Sequence, residues 1–542
     1  MRRHFLLRRT RGIVGLRGIQ AVGQRLKLCR QLLDFAVLPE DHVAQLGGGA
    51  LEKGDLGLNL FQSFVVHLQI LPVAPARCRR VPHALEIGNN GPLATRETIG
   101  ADLSMRTSTS HRRFAQATLI ASLLCVPVSR AADPATGLAD SAALRATVFG
   151  TPPQDIAPMP SHVPLSEMDI RLPWKRPVPS VFWFDRRLRV WFSAQDKPAP
   201  LAIVIAGTGS DGNTDKLATL RGALYGAGYH VLTMPSPTFP GFIVSASSTG
   251  VAGDLMQDGA DLYAAMQQII AHLPRKMKIT DIDVLGYSLG GANAAIVKAI
   301  DAKQGRLKIH RAVMINPPVS LFASMHRLDE LFAQSIGSDD AAIERLYRRL
   351  YAQLANLYRA SDRLQLDEDF LLGSAAVILK TDAEFSAAIA LSFRIDLMNV
   401  FFAGDLYAGT GVVVDPRHPP QVGDSLESIE RTLRSKPFSQ YFDQVFVPYY
   451  SKYRPHSTKA SLVADNRLDI IGDSLRSDAD YYVQTNSDDL ILDAAELAWL
   501  RRTLGSRIAV YDHGGHLGNL GDRWQVADML AMLDGSWTGA AR

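Results

Sequence analysis

The chain has 542 residues, 47% of them hydrophobic and 21% charged, a composition that excludes disorder over its whole length and supplies apolar side chains for a large core. Its formal net charge of +4 is unevenly placed: residues 1–104 carry 14 Lys+Arg against 8 Asp+Glu, residues 105–131 carry four Arg and no acid, and the other 411 sum to −6. The basic balance belongs to the front of the chain, so nucleic acid is excluded as an expected partner of the rest.

The front segment is unusual in other ways. Cys29, Cys78 and Cys125 are the only cysteines, whereas every Trp and Tyr follows residue 173. From Met105 the chain places Arg106, Arg112 and Arg113 before an apolar stretch over 114–128, then Ser129-Arg130-Ala131. This is the layout of a secretory signal peptide cleaved after about Ala131. Pro127 breaks an apolar run already too short to span a bilayer. Cys125 follows Leu124 and lacks the small preceding residue expected of a lipid-modified cysteine. A signal peptide does not normally sit so far inside a chain, so residues 1–104 are either sequence ahead of the true start, the favoured reading, or a separate presequence, which the nine Arg/Lys of residues 1–33 suit and their lack of Ser does not. The exported chain, expected in the periplasm or outside the cell, then has no cysteine for disulfides or thiolate metal sites and no transmembrane segment.

Residues 132–164, rich in Pro, Ala and small polar residues, predict an extended leader. Strand patterns follow at 167–172, 188–192, 201–206, 230–234, 282–285, 311–315, 481–485 and 508–511. Helical patterns alternate with them at 214–225, 253–273, 290–302, 494–503 and 524–533. That alternation predicts an α/β fold with one mostly parallel, eight-stranded sheet. Between the sixth and seventh strands, residues 318–477 predict a helical insertion that separates core segments 165–317 and 478–542. Its clearest helix starts after Ser338-Asp339 and puts Ile343, Leu346, Tyr347, Leu350, Tyr351, Leu354, Leu357 and Tyr358 on one face. A second, from Asp382 towards Phe402, is apolar around most of its circumference and is expected to be buried. Further on, Phe438, Tyr441, Phe442, Phe446, Tyr449, Tyr450 and Tyr453 crowd a short segment.

The sharpest motif is Gly286-Tyr287-Ser288-Leu289-Gly290, directly after an apolar strand and at the start of a helix. Gly-x-Ser-x-Gly serves a serine held on a strained strand-to-helix turn, because only very small flanking residues let strand and helix pass so closely. A serine hydroxyl needs a base, and the base needs an orienting group. The loop after the last strand, Asp512-His513-Gly514-Gly515-His516, supplies two histidines, of which His516 is the expected base because glycines before it let the loop fold back over the sheet. After the preceding strand, Asp488 and Asp489 are both candidates for the acid, with Asp489 favoured because an apolar pair follows it. An oxyanion hole needs two N–H groups, expected from Leu289 and from Thr208 in the loop Gly207-Thr208-Gly209-Ser210-Asp211-Gly212. That loop also spells Gly-x-Gly-x-x-Gly, but the next strand runs into Pro235-Ser236-Pro237 where a dinucleotide site would need an acid.

On these residues the sequence resembles the α/β-hydrolase superfamily of serine type, esterase- or lipase-like, over roughly residues 165–535. The order Ser288, Asp489, His516 is that of this architecture and differs from chymotrypsin-like and subtilisin-like enzymes. The resemblance implies an α/β-hydrolase fold with the insertion as a cap, acyl transfer through an acyl-enzyme, and no metal or organic cofactor. A carboxylic ester, possibly of a lipid, is the expected substrate. Phe239 and Phe242, with the aromatic residues of the insertion, are the candidate walls of an apolar pocket; the alternative, and for any single residue the commoner use, is that these aromatics pack as the core of the cap itself. A peptidase, amidase or thioesterase, or a binding protein without catalysis, are the alternatives. N-terminal sequencing of the exported protein is expected to read from about Ala132; a start upstream of Met105 would overturn the signal-peptide reading.

Overall fold

A computed structural model describes residues 141–173, 176–337, 339–360 and 379–539. Residues 105–131, expected to be a signal peptide, residues 132–140 and Ser338 lie outside the described residues, as do the side chains of Leu350, Tyr351, Leu354, Leu357 and Tyr358. The first described element corrects the extended leader: residues Ser141–Phe149 form a helix, α1, with Leu144 fully buried. Leu144 packs in one cluster with Leu379, Phe385 and Ile389, so this segment belongs to the folded body.

Eight strands follow: β1 (Ser166–Ile170), β2 (Leu188–Ser193), β3 (Ala199–Ile205), β4 (His230–Met234), β5 (Ile279–Tyr287), β6 (Ile309–Ile315), β7 (Tyr481–Asn486) and β8 (Ile508–Tyr511). They form one sheet in the order β1-β2-β4-β3-β5-β6-β7-β8. β1–β2 and β2–β4 are antiparallel, and every other pairing is parallel. The helices among the first six strands are α2 (Asp215–Gly226), α3 (Pro240–Ser245), α4 (Leu255–His272) and α5 (Leu289–Gln304). Side-chain caps fix two of these starts, Thr214 accepting from Leu217 N–H and Asp254 from Gln257 N–H.

Residue β3 alternation shows why the sheet sits between two helical layers. Leu201, Ile203 and Ile205 join the core beneath α4 and α5, while Ala202, Val204 and Ala206 join the core beneath α2. Successive side chains leave opposite faces of a strand, so a strand covered on both faces reads as one apolar run.

Between β6 and β7 the chain is helical: α6 (Leu321–Ile336), α7 (Asp340–Ala360), α8 (Asp382–Ala408), α9 (Glu427–Arg434), α10 (Phe438–Tyr441), α11 (Val447–Tyr453), α12 (Lys459–Ala464) and α13 (Gly472–Ser477). α14 (Ala494–Leu504) and α15 (Arg523–Asp534) complete the fold around β8. α8 starts in a capping box between Thr381 and Glu384. By length and composition α8 could cross a membrane, yet Phe385, Phe401 and Ala403 are buried within the protein. Tyr441, Phe442, Phe446 and Tyr450 bury one another with Leu397 and Phe401. Ile243, Val244, Val251 and Ala252 of the body belong to the same cluster, so these aromatic residues pack the insertion onto the body and do not wall a pocket. The Tyr441 hydroxyl donates to Ala252 O (2.7 Å) and the Tyr450 hydroxyl to Val251 O (2.9 Å), tying the insertion to the loop ahead of α4.

Truncating a fully buried Leu leaves a cavity and typically costs about 2–5 kcal/mol. Leu144→Ala is therefore expected to lower the free energy of unfolding, measured by urea titration, by an amount in that range; a value within error of wild type would show that α1 is not part of the cooperative unit.

Candidate active site

The strand order sets the place of the site. The chain leaves β3 for β4 on one side and returns to β5 on the other, so a crevice opens beyond the carboxyl ends of β3 and β5. Ligand sites of open parallel sheets lie at such switch points. Ser288 follows β5 directly and the Gly207–Gly212 loop follows β3, so both reach this crevice.

Ser288 has φ 54° and ψ −128°, a conformation that side chains other than glycine rarely adopt. Its neighbours explain how it is held. A Cβ at Gly290 would stand 2.2 Å from Ile205 O, and one at Gly286 would stand 2.3 Å from Gly290 O, so neither position admits another residue without moving backbone. The Ser288 N–H donates to Ile315 O (2.8 Å), fixing the turn to the end of β6. Leu289 then opens α5, where a helix leaves its first N–H groups without intrahelical partners. Gly207 lies against this turn, since a Cβ there would be 3.2 Å from Ser288 Cβ. That contact carries the Thr208 backbone alongside the serine.

The three polar side chains named from sequence are joined in series. His516 Nε2 is 3.0 Å from Ser288 Oγ, and His516 Nδ1 is 2.9 Å from Asp489 Oδ1. All three are buried, with 6%, 4% and 5% of Ser288, His516 and Asp489 exposed, which shields these bonds from competing water. Asp489 is thus the partner of the imidazole. Asp488 instead accepts the Gly514 and Gly515 N–H groups (3.2 and 2.8 Å) and shapes the glycine turn. His513 is exposed and stands 3.9 Å from Asp488, away from Ser288.

Several contributors had no sequence assignment. Asn316, fully buried at φ 48° just past β6, donates from Nδ2 to Asp489 Oδ2 (2.8 Å). A polar residue closing an apolar strand ahead of Pro317-Pro318 was the available signal. Thr147 of α1 accepts the His516 N–H at its Oγ1 (2.9 Å), and Thr151 bridges Gly518 O and Gly521 N–H. The segment expected to be a leader therefore braces the histidine loop. Asn486 adds a bond from Nδ2 to Gly515 O (2.7 Å). From α8, the Phe393 ring lies 6.3 Å from the His516 ring, centroid to centroid.

The two expected pocket residues separate. Phe242 is fully buried in the main core with β3 and β4 residues, so it packs the fold and does not wall an open pocket. Phe239 is half-buried, its ring folded over Gly241. The Gly207–Gly212 loop is covered at Gly209 by the Asp396 carboxyl of α8, whose Cγ would be 2.2 Å from a Cβ at that position. An acid over the loop opposes phosphate, which argues against the dinucleotide alternative. Among the described residues no group of three or more His, Cys, Asp or Glu is placed to hold a metal ion.

No family model and no curated protein matches the sequence. Solved structures similar to the chain include an esterase from Pyrococcus furiosus, at 12% identity and TM-score 0.34 over 69% of this chain and 93% of that one. An esterase from Pyrobaculum calidifontis matches at 15% identity and TM-score 0.31, over 70% and 88%. A thioesterase domain from the curacin biosynthetic pathway matches at 12% identity and TM-score 0.30, over 68% and 99%. Likenesses this distant carry no argument about chemistry, which rests on the side chains described above.

Loss of a hydrogen bond to a charged group costs about 1.5–3 kcal/mol. Asn316→Ala leaves Asp489 short of one donor, so Ser288 is expected to react with a fluorophosphonate about tenfold more slowly while the fold is kept, as read by labelling kinetics and circular dichroism.

Proposed function

We propose that the protein is a serine hydrolase of α/β-hydrolase type that cleaves a carboxylic ester through an acyl-enzyme, and that it works after export. The observation that carries this reading is the buried series Ser288 Oγ, His516 Nε2 and Asp489 Oδ1, at 3.0 and 2.9 Å, on a strained turn after β5. Such a series activates a hydroxyl that is otherwise a weak nucleophile at neutral pH.

In the proposed reaction, Ser288 Oγ attacks the carbonyl carbon as its proton passes to His516 Nε2. Asp489 accepts a hydrogen bond from His516 Nδ1–H, which sets the tautomer and stabilises the imidazolium that forms. The carbonyl oxygen becomes an oxyanion, held by the Leu289 and Thr208 N–H groups. Collapse expels the alcohol, which takes the proton from His516. Water, deprotonated by the same nitrogen, then attacks the acyl-serine and releases the acid. Only neutral imidazole can accept the serine proton, so activity is expected to fall towards acid pH.

The helices between β6 and β7 have the role of a cap in this reading, with Phe393 presenting an apolar surface beside His516. A lipid ester is the narrower version of the substrate, and it loses support because the aromatic residues of α10 and α11 pack on one another. Fluorophosphonate is expected to label the wild type stoichiometrically and Ser288→Ala not at all, by intact mass; labelling that persists in Ser288→Ala would sink the nucleophile assignment. Release of p-nitrophenol from short acyl esters separates ester hydrolysis from amide cleavage.

A further inference from the structure

Helix α8 sends a second side chain to the site, and the acyl-transfer reading gives it no task. Asp396 lies three residues beyond Phe393, on the same helical face. Its carboxyl rests on the backbone of Gly209, where a Cβ would lie 2.2 Å from Asp396 Cγ and 2.3 Å from its Oδ1. Gly209 also has φ +70°, and its N–H is fixed to Thr238 Oγ1 at 2.9 Å, so the carboxyl sits on an anchored loop.

Among the described residues Asp396 makes no hydrogen bond. The side chain is half-buried, so its carboxyl keeps access to the space beside the loop. Burial pushes it up to about 7, opposed by Lys216, which stands exposed at the start of α2. Asp211, two residues past Gly209, adds a second acid to this loop, and burial pushes it up too. The immediate charge environment is therefore acidic, with one solvated lysine opposing it.

The position matters more than the charge alone. The carboxyl thus touches Gly209, the residue that directly follows Thr208, the expected oxyanion donor. An oxyanion would stand about 2.7–3.1 Å from the Thr208 N–H. An ionised Asp396 would face this developing negative charge and oppose it. A substrate cation carried next to the scissile carbonyl would offset both negative charges, and a charge-assisted hydrogen bond to the carboxyl is the contact it would make.

We propose that Asp396 is a specificity-determining residue that receives the α-ammonium group of an aminoacyl substrate. The proposal rests on the reading of Ser288 as nucleophile and Thr208 as oxyanion donor. Neutral acyl esters can be processed only against the repulsion of Asp396 or with that carboxyl protonated. Phe393 on the same face is then the neighbour of the substrate side chain or leaving group.

The test compares p-nitrophenyl esters of alanine and propionic acid, alike in shape apart from the α-amino group, at pH 7, with each rate divided by that ester's own alkaline hydrolysis rate. The wild type is expected to favour the alanyl ester at least tenfold in kcat/KM, and Asp396→Asn to lower that ratio at least tenfold, with the propionyl ester gaining. Asp396→Glu is expected to keep part of the preference. A wild type without preference, or an Asp396→Asn variant that changes both esters by the same factor, would overturn the proposal. Fluorophosphonate capture of Ser288, followed in every variant, reads the nucleophile separately: full capture with no alanyl preference refutes the ammonium site alone, and no capture in the wild type refutes the hydrolase reading itself.

Discussion

Ser288 occupies a backbone conformation that costs on the order of 1–3 kcal/mol relative to an ordinary turn. Nothing local to the residue offsets this; the fold around it does. β5 ends inside a sheet paired on both sides, α5 begins in a fully packed layer, and Gly290 touches the carbonyls of β3. The serine is therefore held by three elements that cannot shift independently. The other site groups depend on the same frame, because Asn316, Asp489 and His516 all emerge beyond the carboxyl ends of β6, β7 and β8. Parallel pairing brings residues far apart in sequence to one edge of the sheet, where short loops carry them the remaining distance.

What could be read from the sequence follows from this arrangement. Strands buried on both faces announce themselves as apolar runs, so the eight strands and their alternation with helices are visible in β3 or β7 without any partner in view. The turn at Ser288 is equally visible, because strand, small residues and helix are adjacent in the chain. His516 and Asp489 needed a further step, choosing between neighbours, and the structure separates them by geometry: Asp489 faces the imidazole while Asp488 caps the turn that positions it. Strand limits were less legible, since β5 begins three residues earlier than its apolar pattern does.

The residues that escaped are those whose partners lie elsewhere. Thr147 looks like any polar residue in a Pro/Ala-rich stretch, and only the docking of α1 on the histidine loop gives it an acceptor role. Phe393 and Asp396 sit in a helix that reads as apolar around most of its circumference, so one carboxyl in its middle carries no local pattern. The conspicuous aromatic residues around α10 and α11 allowed both a pocket and a packed core, and only the contacts with Ile243, Val244, Val251 and Ala252 show packing of the insertion onto the body, the commoner use of such side chains.

Those aromatic residues have another consequence through their hydroxyl groups. Tyr441 and Tyr450 end on the carbonyls of Ala252 and Val251, with the rings sealed around them. Lifting the insertion as a unit would strip both bonds and bare the aromatic cluster to water in a single step. The insertion is thus fastened to the loop ahead of α4 by two hydrogen bonds and by packing together, so the two fastenings would have to be lost at once for it to lift.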